Sequence, residues 1–172
     1  MENTKRYCPA IIDIEASGFG PKGYPIEVGV ITGKGERLCQ LITPPKEWDF
    51  WDAEAADCHR ITRAVLFENG HPPATVANEL NKLLKGMTVH SDGWVVDKPW
   101  LVKLFHVADV QPLFNISPIE ILLNEQQMLI WHKIKKDVTL DLQLQRHRAS
   151  SDAKIIQETY MRLVYGTERK AS

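Results

Sequence analysis

The sequence predicts an α/β domain with a mixed central sheet, antiparallel in its first three strands and flanked by helices. Three observations carry this. Short apolar runs separated by Gly/Pro turns fill the first part of the chain, and apolar residues at helical spacing recur through the rest. One short buried strand interrupts the helical stretches.

Taken in order, residues 10–15 read as a buried strand, ended by the turn signal Ser17-Gly18-Phe19-Gly20-Pro21. Residues 25–32 and 36–43 follow as strands, and Gly33-Lys34-Gly35 between them makes a hairpin. The first helix covers residues 73–85, with Val76, Leu80, Leu83 and Leu84 on one side and Gly86 as its stop. Residues 87–90 form the short buried strand. A helix then starts near Asp97-Lys98-Pro99, since proline is tolerated in a first turn. Another spans Glu120 to about Lys136. The last runs from Ser150 to about Tyr165 and aligns Ile155, Ile156, Tyr160 and Leu163.

With 172 residues, 44% apolar and 25% charged, the chain fits one domain spanning residues 1–172 with an ordinary core. No apolar run is long enough to cross a bilayer, so a membrane partner is not expected. Residues 1–6 are followed by an apolar stretch that Asp13 cuts short, unlike a secretion signal, and the expected location is cytoplasmic. Cys8, Cys39 and Cys58 are odd in number and widely spaced, which argues against a disulfide frame or a structural zinc; small buried hydrophobes are expected. The net charge of −1 is uneven, with 17 acids against 12 bases up to Ile130 and 9 bases against 5 acids after it. A protein that coats duplexes would be far more basic.

Asp13 and Glu15 alternate on a strand and so project from the same face. One reading is a strand with a solvated face. The surrounding Ile11, Ile12 and Ile14 imply burial instead, and a buried acidic pair costs several kcal/mol unless a cation neutralises it. A divalent ion bridged by both carboxylates explains the pair, and Ser17-Gly18 just beyond allows close approach of backbone to a ligand. Near the other end, His147-Arg148-Ala149-Ser150-Ser151-Asp152 places an acid one turn into a helix, facing back toward a histidine. An imidazole beside a carboxylate suits a general base near neutral pH. Taken singly, His147 also reads as a capping or surface histidine, and Asp152 as a first-turn acid favoured by the helix dipole.

Asp13-Ile14-Glu15-Ala16-Ser17-Gly18 and the His147–Asp152 segment together resemble the first and third motifs of the DEDDh family of 3′→5′ exonucleases. Its members include ribonuclease T, oligoribonuclease and the proofreading subunit of bacterial DNA polymerase III. The resemblance covers nearly the whole chain. Ile26-Glu27-Val28-Gly29 is similar to the family's second strand, and His59-Arg60-Ile61-Thr62 to its H-G-I-T segment. The middle motif departs: Asp97 matches through Asp97-x-x-Trp100-Leu101, but its gap from His90 is two residues longer than usual, and Ser91 replaces an asparagine. Asp92 is a rival, set aside because Asp97 opens the expected helix.

The resemblance implies a ribonuclease H-like fold and a two-metal site, with Asp13, Glu15, Asp97 and Asp152 holding two Mg²⁺ or Mn²⁺ ions. It makes His147 the base that deprotonates the attacking water. Nucleoside 5′-monophosphates would be released from the free 3′ end of a single-stranded or overhanging nucleic acid, RNA in preference to DNA. Ala16, Ser17, Gly18, Phe19, Trp94 and Arg148 are the expected substrate contacts, Phe19 by stacking on the terminal base. Arg146 and Lys154 are further phosphate candidates, whereas Trp100 and the remaining histidines are expected to be structural or superficial. The family includes monomers and homodimers, so homodimerisation is an expectation of the resemblance alone. Two other readings are a non-catalytic nucleic-acid-binding relative and a structural metal-binding module, the latter disfavoured because nothing resembles an ion-cage spacing.

Overall fold

A computed structural model describes residues 6–166 of the chain. The reading of residues 1–5 as no secretion signal, and the extreme ends of the 1–172 domain span, lie outside these residues. Five strands form one sheet in the order β3-β2-β1-β4-β5: β1 (Ala10–Ala16), β2 (Pro25–Ile31), β3 (Arg37–Leu41), β4 (Thr88–Ser91) and β5 (Asn115–Pro118). The first three are antiparallel neighbours, as the hairpin signal predicts, and β4 and β5 join in parallel. The helices are α1 (Ala53–His59), α2 (Arg63–Asn69), α3 (Pro73–Leu84), α4 (Trp94–Ala108), α5 (Glu125–Leu142) and α6 (Ala149–Tyr165).

Alternation along β1 divides the molecule into two cores. Ala10, Ile12 and Ile14 face a large cluster with Leu80 and Leu84 of α3 and Leu101, Leu104 and Phe105 of α4. Ile11 faces the opposite way, toward Trp131 of α5 and Ala153, Ile156 and Tyr160 of α6. Asp13 and Glu15 continue the Ile11 side, so the acidic pair stands where the α5–α6 core gives out. Asp13 pairs with Gly29 on β2 and Glu15 with Glu27; just beyond, the register slips and leaves Ile26 extra on β2.

Gly29 sets the position of α6. A Cβ there would lie 2.2–2.4 Å from backbone atoms of Ala149 and Ser150, so only glycine lets the helix start directly on the strand beside Asp13. The start of α6 is thereby pressed against the acidic pair. Gly18 serves the loop after β1 in the same way, since a Cβ would meet Asp52 at 2.6 Å and Phe50 at 2.7 Å. Lys103 of α4 donates to the carbonyls of Pro21 and Gly23 at 2.9 and 2.5 Å, which ties this loop down.

Several elements differ from expectation. α4 begins at Trp94, three residues before Asp97, so Pro99 is at the sixth helical position and withholds a donor from the Val95 carbonyl. The segment expected as one helix from Glu120 is split. Residues Ile119–Leu122 form a 3₁₀ turn, and Asn124 then caps α5 through a reciprocal box with Gln127 at 2.9 Å in both directions. α1, α2 and β5 were not foreseen. Cys8, Cys39 and Cys58 are free, but Cys39 and Cys58 are exposed and not buried; Cys39 reaches Glu27 at 3.6 Å, and Cys58 lines the cavity described below. Among the described residues no helix is long and apolar enough to cross a membrane.

Candidate active site

A cavity of ≈ 400 Å³ opens where the carboxyl end of β1, the first turn of α4 and the start of α6 converge. Asp13, Glu15, Asp97, His147 and Asp152 all line it. The five residues come from four segments of the chain, and each is positioned by a local reason. β1 alternation projects Asp13 and Glu15. Asp97 is buried one turn into α4, where the Ser91 hydroxyl donates to its Oδ2 and Ser91 Oγ in turn accepts from Gly93 N–H at 2.9 Å. Asp152 is buried in the first turn of α6, and its Oδ2 accepts the His147 N–H at 2.8 Å. That bond folds the loop back, with His147 in a left-handed conformation at φ +58°.

Donor atoms of Glu15, His147 and Asp152 lie within 4.8 Å of one another, close enough for one ion. Asp13 and Asp97 extend the acidic wall. Burial, then the charges of Asp97, Asp152, Glu15 and Asp92, pushes the Asp13 carboxyl well above its usual range. Burial raises Glu15 to about 7, reinforced by Asp152, Glu27 and Asp97 and opposed by Arg146. Burial also raises Asp97 to about 7, against the hydrogen bond from Ser91. These carboxylates repel one another in a partly dehydrated space. The chain supplies one cation to them directly: Arg146 Nε donates to Asp152 Oδ1 at 2.6 Å.

The other expected contacts divide. Ala16, Gly18 and Phe19 line the cavity. Phe19 is 75% exposed and faces Trp100 with ring centroids 6.1 Å apart, so together they form an aromatic shelf at the mouth. Ser17 is fully buried behind the wall, its Oγ accepting Tyr24 N–H at 3.2 Å. Trp94 lies outside the cavity, donating to the Ile116 carbonyl at 3.3 Å and covered by Lys98 at 4.8 Å. Arg148 also lies outside: its guanidinium clasps both Glu27 oxygens at 2.6–3.1 Å. Asp92, the rival to Asp97, is held by Lys135 Nζ at 2.5 Å. Lys154 pairs with Glu158 at 3.4 Å.

Sequence reasoning passed over several residues of the wall. Trp100 packs against the main core, as expected, but it is half-buried and lines the cavity as well. His59 is buried at the cavity, its Nδ1 accepting Ile61 N–H at 3.0 Å, and burial lowers its pKa. Lys135 lines the wall from α5. Its signal was available: Trp131 and Val138 mark the buried side of α5, and Lys135 lies between them.

No family model matches the sequence, and no curated protein matches it. The mixed five-stranded sheet with flanking helices is a ribonuclease H-like fold, and solved structures of that fold do match. Exonuclease I from Methylocaldum szegediense superposes with a TM-score of 0.68 and 14% identity over 95% of this chain and 42% of that protein. E. coli exonuclease I in complex with a dA16 oligonucleotide gives 0.70 and 13% identity over 92% of this chain and 41% of that one. The zinc-bound form of the E. coli enzyme with single-stranded DNA gives 0.67 and 14% over 93% and 41%. The chain therefore spans about two fifths of the length of these proteins. At such identities the likeness establishes the fold.

Proposed function

We propose that the protein is a metal-dependent 3′→5′ exonuclease acting on single-stranded nucleic acid or a 3′ overhang. The observation that carries this is the convergence of Asp13, Glu15, Asp97 and Asp152 with His147 on one cavity. Divalent ions fit the donor set: hard carboxylate oxygens in a buried wall, with carboxyls raised first by that burial and then by neighbouring carboxylates. Asp13, Glu15, Asp97 and Asp152 would hold two Mg²⁺ or Mn²⁺ ions, which supply charge stabilisation to the attacking and leaving oxygens of an in-line displacement. His147 takes the proton of the attacking water. The new bond joins that water oxygen to the terminal phosphorus. The bond to the 3′ oxygen of the preceding nucleotide breaks, and a nucleoside 5′-monophosphate leaves.

Phe19 and Trp100 offer the terminal base a stacking surface, worth ~1–3 kcal/mol and indifferent to base identity. A base enters only after leaving its partner, which favours single strands. Arg148, committed to Glu27, holds the His147 loop and is not assigned to substrate. RNA was favoured by resemblance, whereas the solved exonuclease I structures carry deoxyribo-oligonucleotides, so either sugar is admitted. The direct experiment incubates 5′-labelled RNA and DNA single strands of one sequence with Mg²⁺, Mn²⁺ or EDTA. A metal-dependent ladder shortening from the 3′ end is expected; internal cuts, or no shortening with either ion, would overturn the assignment.

One observation favours a non-catalytic binding relative: Arg146 already neutralises Asp152. The same experiment separates the two readings, because a binder retains the oligonucleotide without shortening it.

A further inference from the structure

We propose that one face of α5 is a track for the phosphodiester backbone of a single strand whose 3′ end lies in the carboxylate cavity. The inference rests on the exonuclease reading. It adds a binding surface that the carboxylate site does not contain.

A second groove of ≈ 330 Å³ is lined by His132, Lys135, Lys136, Thr139, Leu140 and Arg146. Lys135 and Arg146 line the carboxylate cavity as well, so the two depressions are continuous across a pair of cations. His132, Lys135, Lys136 and Thr139 follow the i, i+3, i+4, i+7 spacing of a single helical stripe. Successive turns of that stripe rise by about 5 Å. This suits contacts to successive phosphates of an extended strand.

Among the described residues no carboxylate lines the groove. Three acids of this region are already paired: Asp92 with Lys135 at 2.5 Å, Asp152 with Arg146 at 2.6 Å, and Asp141 of α5 with Arg162 at 2.5 Å. Asp137 lies on a different side of the helix from the stripe. The sequence places its basic excess in this same part of the chain. A strand with its terminal base on the Phe19–Trp100 shelf passes the acidic wall and leaves between Lys135 and Arg146. Its following phosphates then meet Lys136 and His132. The acids select for the metal-bound end, and the adjoining cations hold the rest.

The test compares substrate lengths. KM is measured with Mg²⁺ on a dinucleotide and on a single-stranded 12-mer for wild type, K136E, the double variant H132A/K136A, and K82A at an exposed position of α3 as control. K136E should raise KM for the 12-mer about tenfold and for the dinucleotide less than twofold, with K82A near wild type on both. Binding of the labelled 12-mer with Ca²⁺ in place of Mg²⁺, followed by fluorescence anisotropy against salt, should lose ~0.7 from the log–log slope per phosphate contact removed. Equal effects of K136E on both lengths, or an unchanged salt slope, overturn the track. If wild type shortens neither substrate, the exonuclease reading fails, and the salt slope still decides whether this face binds a strand.

Discussion

Glu15 on β1 and Glu27 on β2 face each other across an antiparallel pair, yet only Glu27 is given partners by the protein. Glu27 is fully buried and saturated: Arg148 grips both of its oxygens, and Ala149 N–H donates to Oε2 at 2.8 Å. Its negative charge is spent on docking α6. Glu15 is half-buried, and its carboxylate accepts no hydrogen bond from any described residue. Its neighbours are further acids, His147 and Arg146, and burial with those acids raises its pKa to about 7 against the Arg146 charge. One carboxylate is a finished structural contact; the other is the one the proposed function assigns to a metal ion. A buried carboxylate without a partner relieves its charge by taking up a proton or a cation.

The sharpest break between the two glutamates is chemical. Glu15→Gln should lower cleavage by ~10³-fold or more, on the scale of losing one element of transition-state charge stabilisation, while the metal-free protein melts no lower than wild type. Asp97→Asn should match it in severity and far exceed Asp92→Asn, because Asp97 is buried at the cavity whereas Asp92 is paired with Lys135. Labelled-oligonucleotide rates and thermal melts measure both; wild-type turnover in Glu15→Gln would remove the metal role.

His147→Ala should cost ~10²–10⁴-fold in turnover and leave Mn²⁺ affinity nearly unchanged by calorimetry. The imidazole stands close enough to Glu15 and Asp152 to be a ligand itself, so a large loss of affinity would move it from base to metal shell.

Glu27→Gln should act in the opposite register. It strands Arg148 and weakens the clasp on Ala149, costing about 2–4 kcal/mol in urea unfolding, less than a fully enclosed pair because the Arg148 side chain is 36% exposed. Added metal should not restore it. A loss under ~0.5 kcal/mol would show that Gly29 packing alone docks α6.

The gentlest probe is pH. Glu15 and Asp97 have folded values raised from 4.5 and 3.8 to about 7, so the metal-free fold binds more protons than the unfolded chain. Their stabilising effect is fully present below pH ~4 and is lost as pH rises through about 7. Metal-free melting temperature should therefore fall between pH 5 and pH 8, and Mg²⁺ should reverse the fall. A metal-free protein that gains stability over this range contradicts the raised carboxyls that burial and neighbouring acids produce.

The acidic half of the site was legible because strand alternation is strict: two acids at i and i+2 among isoleucines must share a face. The His147–Asp152 spacing was equally readable, since the first turn of a helix reaches back over its own entry. Glu27 was visible as part of a strand, but its union with Arg148 depends on contact between distant segments, which no periodicity encodes. The helix containing Asp97 was placed three residues late because Pro99 was taken for a first-turn proline. α1 and α2 escaped because each has seven residues and only one buried side chain, so no apolar stripe accumulates. β5 has four residues and ends in proline, too short for alternation to register. Cys39 and Cys58 were misplaced by residue-type preference, which says nothing about which side of an element a residue occupies.

The seating of α6 on Gly29 has a consequence for biosynthesis. Asp13 and Glu15 emerge from the ribosome early, and Asp97 follows well before His147 and Asp152. Until the last helix folds onto the strand pair, the acids of β1 lack the partners that make a complete centre. On the proposed exonuclease reading, a chain cut between α5 and α6 before His147 would lack both His147 and Asp152 and should not shorten an oligonucleotide.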